Sequence, residues 1–203
     1  MKSHRTDGEF FEEQGNMSAI KDQVVDREAL VDSAMENSGK YTSVIFLDID
    51  GVLNDFDDRR QNRELIDENM VSRLKKIAEI SGAKIILTSS WRMYYFDYNA
   101  GKPMNEHFKR LMDAFEKFDL TISGATDEIG IDKKSRPLEI RCWLLDKPDV
   151  ERFVILDDME WHWGWLSDHV VYTRRRDACA ISGWRSGLDN ENVQEALRIL
   201  RAI

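Results

Sequence analysis

The chain has 203 residues, with 29 basic against 38 acidic side chains and a formal net charge of −9. That balance disfavours an extended polyanion-binding surface, and the length suits one α/β domain with some decoration. An apolar share of 42% beside 33% charged residues supports a real core and excludes global disorder.

Cys142 and Cys179 are too few, and lack the spacing, for a disulfide framework or a zinc ribbon. No apolar run approaches the ~20 residues of a membrane span, and the N-terminus is polar and acidic, without a signal-peptide core. No membrane association and a cytoplasmic location are expected. Met1 to Lys40 holds nine acidic and five basic residues, with weak helical spacing through Ile20, Val24, Val25, Leu30, Val31 and Ala34. Residues 1–42 therefore read as an acidic, partly helical extension, and residues 43–203 as the folded domain.

From Ser43 onward, short apolar runs alternate with amphipathic ones, the pattern of βαβ units on a parallel sheet. The first predicted strand, Val44–Leu47, stops abruptly at Asp48-Ile49-Asp50-Gly51. A helix striped by Ile66, Met70, Leu74 and Ile77 leads to a second strand, Lys84–Thr88, which ends in Ser89-Ser90-Trp91-Arg92. Trp91 to Lys102 reads as a loop. Phe108, Leu111, Met112 and Phe115 stripe the next helix, followed by a strand at Leu120–Ile122. Lys133, Lys134 and Arg136 open a helix striped by Ile140, Trp143 and Leu144. The strand Phe153–Leu156 ends at Asp157-Asp158, Val170–Thr173 runs into Arg174, Arg175 and Arg176, and Val193, Leu197 and Leu200 stripe the last helix.

The chemistry concentrates at the strand ends. Period-two geometry puts Asp48 and Asp50 on the same side at the carboxyl end of a buried strand, where open α/β sheets bind ligands. Gly51 permits the turn. Two carboxylates so close call for a cation, and all-oxygen ligands favour Mg²⁺; Val52, Leu53 and Asn54 do not continue a calcium loop. The hydroxyls of Thr88 and Ser89 can cradle phosphate oxygens, with Arg92 adding a bidentate contact. Four carboxylates converging without a metal or basic partner would be prohibitive to bury. One of Lys133, Lys134 and Arg136 is a candidate to offset them.

In order and spacing these motifs resemble those of the haloacid dehalogenase (HAD) superfamily, and LDIDGVLN, LTSSWR, RPLEIRCWL and VILDD are similar to the small HAD domains associated with Swiss-army-knife RNA repair proteins. The resemblance spans about Ser43 to Ile203. It implies a HAD-like Rossmannoid three-layer sandwich, an α/β fold with a central parallel sheet. It also implies an Mg²⁺-dependent phosphatase that works through an aspartyl-phosphate. Asp48 would be the nucleophile and Asp50 the general acid/base. Asp48, the backbone carbonyl of Asp50 and Asp158 would hold Mg²⁺, while Asp157 would orient the basic residue. Thr88 or Ser89 matches the phosphate-binding hydroxyl, and Arg136 the basic residue, with Lys133 or Lys134 as fallbacks.

Only Asn54 to Glu64 separate the first motif from the next helix, too few for a folded helical cap. An open site and no large cap domain are expected, suited to a nucleotide, a nucleic-acid end or another large phosphorylated substrate. The tryptophans are expected mainly in the core, except that the alternation in Trp161-His162-Trp163-Gly164-Trp165 exposes at least one ring, and His169 reads as structural. Phosphate transfer to an acceptor other than water would use the same residues. The rival is a catalytically silent module that holds a partner through its N-terminal helix and tryptophan loops.

Overall fold

The computed structural model describes residues 42–55, 66–129, 136–176 and 184–202. For Arg175, Arg176, Trp184 and Arg185 it describes the backbone alone. The predicted N-terminal helix, Lys133, Lys134, Cys179 and most of the segment between the first motif and the next helix lie outside the described residues.

Five strands form one wholly parallel sheet: β1 (Ser43–Leu47), β2 (Lys84–Leu87), β3 (Ile122–Ala125), β4 (Arg152–Asp157) and β5 (Val170–Tyr172), in the order β3-β2-β1-β4-β5. Helices α1 (Glu68–Ser81), α2 (Arg92–Asn99), α3 (Glu106–Lys117), α4 (Arg136–Leu145) and α5 (Asn190–Ile199) surround it. A 3-10 helix at Gly164–His169 precedes β5, and two short antiparallel strands, β6 (Arg175–Arg176) and β7 (Trp184–Arg185), stand apart from the main sheet.

Alternation along the central strands divides the core into two layers. Ile45 and Leu47 of β1, Ile85 and Leu87 of β2, and Val154 and Leu156 of β4 face one side, with Leu74, Phe108, Phe115 and Leu197 from the helices. Val44, Phe46, Ile86, Phe153 and Ile155 face the other, against Ile140 of α4 and Leu166 of the 3-10 helix. Strands buried on both faces read as continuous apolar runs, which is why the sheet was legible from composition. Helices α1 and α5 start on side-chain caps: Asp67 accepts from the Asn69 and Met70 amides at α1, and Asp189 forms a capping box with Asn192 at α5.

Two elements differ from expectation. The stretch after the second motif is not a loop: α2 forms there because Trp91, Tyr94 and Tyr95, spaced i, i+3, i+4, turn one aromatic face onto the core while Met93 and Phe96 stay exposed. The third strand begins at Ile122 rather than Leu120. Asp119 adopts a left-handed conformation (φ 49°) and the Leu120 amide still donates to Phe115 O, so the helix is only closing where the apolar run begins. His169 stacks on Phe153 at 4.0 Å with Nδ1 3.1 Å from the Phe153 carbonyl, a structural role as expected.

Candidate active site

The chain steps outward from β1 to β2 and β3, then crosses to β4 on the other side, so the order of strands reverses beside β1. Ligand crevices of open α/β sheets form at such a switch point. Backbone pairing continues one residue beyond the strands: Asp48 N donates to Leu156 O, Thr88 N to Leu47 O, and Thr173 N to Asp157 O. The first, second and fourth motifs thus hang from adjoining strand ends whose relative heights are fixed by the ladder.

Asp48, Asp157 and Asp158 each offer an oxygen within 4.8 Å of the others. Arg136, the first residue of α4, reaches into this group, with Nη1 donating to Asp48 Oδ2 at 2.6 Å and also to Asp157 Oδ2. Asp48 is further held by the Ile49 amide on Oδ1 (2.9 Å). Among the described residues, Arg136 is the cation bonded to this group of three carboxylates, and Arg174 acts on Asp158 through its charge. Burial pushes the Asp48 carboxyl up to about 7, with Asp157 and Asp158 adding to the shift and Arg136 opposing it. Burial and Asp157 likewise raise Asp158 to about 6. Burial works against the Arg136 charge, but Asp48 and Asp157 outweigh it and hold the guanidinium above its ordinary value.

The turn after β1 is shaped for this group. Gly51 has φ 75°, and a Cβ there would sit 2.5 Å from Asp158 Cγ, so both conformation and space require glycine. Thr173 Oγ1 donates to Gly51 O at 2.7 Å and pins the turn from β5. The Asp50 carboxylate stands outside the three-carboxylate group. Asn54 Nδ2 donates to its Oδ1 at 3.1 Å and Trp91 Nε1 to its Oδ2 at 3.0 Å. Asn54 also accepts from the Gly51 amide at 2.8 Å.

At the end of β2 both hydroxyl residues are fully buried. Ser89 Oγ accepts from the Trp91 amide at 2.9 Å and so starts α2. Among the described residues the Thr88 hydroxyl has no hydrogen-bond partner. Arg92 differs from expectation. It is 8% exposed and donates to Thr88 O (2.8 Å) and to Glu139 Oε1 of α4 (2.9 Å), an internal tie instead of a phosphate ligand. Glu139 is 3% exposed, and an inward guanidinium offsets the cost of burying its charge.

Trp161 joins the site through contacts that its position after the last motif does not specify. Its Nε1 donates to Asp157 Oδ1 at 3.2 Å, and the Arg136 guanidinium lies 5.3 Å from its ring centroid, a cation–π arrangement. The WHWGW stretch carries the signal, since an indole following a carboxylate pair can donate to it, but spacing alone does not say which of three rings turns inward. Trp163 is buried and Trp165 is 58% exposed, the exposed ring expected of this stretch. Beside Asp158 opens a cavity of about 430 Å³, lined also by Met159, Glu160, Tyr172 and Arg174. Because β5 is parallel, Arg174 follows its carboxyl end on the site's side of the sheet.

Residues 44–178 match the family of HAD domains in Swiss Army Knife RNA repair proteins, and the chain belongs to that family. Its five-stranded parallel sheet flanked by helices is the HAD-like, Rossmann-type α/β fold. No curated protein and no solved structure matches the chain. Family membership supports a HAD-type hydrolase, and the buried aspartates are compatible with a divalent-metal site. Among the described residues no helix is long and apolar enough to cross a membrane.

Proposed function

We propose that the protein is an Mg²⁺-dependent phosphomonoesterase whose nucleophile is Asp48. The observation that carries this reading is the convergence of three buried aspartates, Asp48, Asp157 and Asp158, at the strand ends. Burial first, and then the neighbouring carboxylates, raises Asp48 and Asp158, a shift that a bound cation would relieve. Hard oxygen donors and the small spread of Asp48, Asp157 and Asp158 suit Mg²⁺. Asp48 and Asp158 would hold it, with Asp157 kept by Arg136 and Trp161. When bound, the ion supplies charge neutralisation between an anionic nucleophile and an anionic substrate.

The residues then divide the work. A phosphoryl group binds against Arg136 and the unpartnered Thr88 hydroxyl. An Asp48 oxygen attacks phosphorus in line; the bond to the leaving oxygen breaks, and its electron pair departs with that oxygen. Asp50 gives the oxygen a proton and becomes a carboxylate. That carboxylate takes a proton from water as the water oxygen attacks the aspartyl-phosphate, which releases phosphate and restores Asp48. With no large cap expected, the cavity beside Asp158 has room for the leaving group, where Tyr172 and Met159 offer apolar surface and Arg174 a cation. A nucleotide or phosphorylated nucleic-acid end fits these contacts.

The test is a panel of nucleotides, 5′- and 3′-phosphorylated oligonucleotides, phosphopeptides and sugar phosphates, assayed with and without Mg²⁺ beside Asp48→Asn. Phosphate release that needs both the ion and Asp48 is expected. Release that survives Asp48→Asn, or none on any substrate, overturns the proposal, and the second result favours the silent binding module.

A further inference from the structure

We infer that Trp91 is a positioning residue for the general acid, fixing the Asp50 carboxylate through its indole N–H. The inference rests on the phosphatase reading and concerns a residue that reading does not use. Asp50 sits half-buried on a turn, and the terminal torsion of an aspartate is broad and nearly two-fold, so backbone geometry alone leaves its oxygens free to swing. Each oxygen instead receives one donor. Asn54 holds Oδ1 from within the turn, at 3.1 Å, and Trp91 holds Oδ2 from the end of β2, at 3.0 Å.

The two donors are themselves anchored. Asn54, 1% exposed, is tied to the Gly51 amide. Trp91, 7% exposed, is fixed at its backbone by Ser89 Oγ and at its ring by edge contacts with Tyr94 (6.2 Å) and His107 (6.4 Å). Core packing alone asks only for a flat apolar ring at position 91. The N–H pointing at a carboxylate 41 residues earlier in the chain is an additional feature, and it links the strand end bearing the acid to the one bearing Thr88.

Leaving-group dependence separates positioning from packing. A good aryl leaving group departs with little help from an acid, whereas an alkoxide needs the proton, so misplacing Asp50 penalises alkyl phosphates selectively. Trp91→Phe, which keeps an aromatic ring at the position and deletes the donor, is expected to lower kcat/KM for an alkyl phosphate about tenfold and for p-nitrophenyl phosphate less than about threefold. In an Asp50→Asn background the same substitution should add no selective loss. Equal losses on both substrates, or a selective loss that persists with Asp50→Asn, overturn the inference. Wild-type inactivity on both overturns the phosphatase reading instead. The contact is also read without turnover: the Trp91 indole N–H resonance, assigned by its loss in Trp91→Phe, should move in Asp50→Ala, and an unmoved resonance counts against the contact.

Discussion

Asp48 and Asp158 hold protons more tightly in the folded chain than in the unfolded one, since their carboxyls rise from 3.8 to about 7 and about 6. For such groups the stabilising contribution is complete below the unfolded value and is lost as pH rises through the folded value. Metal-free protein should therefore lose stability between about pH 4 and 7 relative to Asp48→Asn, as urea denaturation in a chelator would show, and Mg²⁺ should restore it most at the alkaline end. Thr88→Val should act in the opposite sense on stability and turnover. Removing a buried hydroxyl without a partner raises stability by about 1 kcal/mol, while the loss of a phosphate donor lowers kcat/KM. Gly51→Ala forces a side chain into a left-handed turn and against Asp158, and should cost about 1–3 kcal/mol in a denaturation experiment while weakening Mg²⁺ binding.

Helix α4 carries Arg136 at its start and Glu139 one turn later, so one element supplies both the guanidinium of the site and the buried partner of Arg92. Arg92→Leu should be costly, about 3–5 kcal/mol by thermal or urea unfolding, because it removes one partner of a buried ion pair; the double substitution with Glu139→Leu should recover much of that loss. The five strands of the main sheet, four helices and the three strand-end motifs were legible because burial on two faces and amphipathic spacing are written locally; the short β6 and β7 carry no such apolar run. Helix α2 was obscured by its aromatic composition, although Trp91, Tyr94, Tyr95 and Tyr98 already followed helical spacing. Arg92 was misplaced for a different reason: a basic residue after a hydroxyl cluster looks the same whether it turns outward to phosphate or inward to a carboxylate 47 positions away. Long-range pairing of that kind leaves no periodic trace. The indole contacts of Trp91 and Trp161 are illegible on the same grounds, as each donates to an aspartate supplied by a strand end.

Across the molecule, the net charge of −9 is uneven, with nine acidic against five basic residues before position 41 and four aspartates at the site. The remainder is close to neutral, which is compatible with a local contact to one phosphorylated end. A divalent ion that binds only the folded state should raise the unfolding midpoint with ion concentration, by about 2.7 kcal/mol of stability at a hundredfold excess over Kd, and Asp158→Asn should abolish the shift. Among the described residues, two tryptophans donate to aspartates at the strand ends, Trp91 to Asp50 and Trp161 to Asp157. The chain thereby carries its own optical gauge: ultraviolet emission should change as the ion and phosphate arrive, with no label attached, and Trp161→Phe should remove the part that reports the Arg136–Asp157 pair.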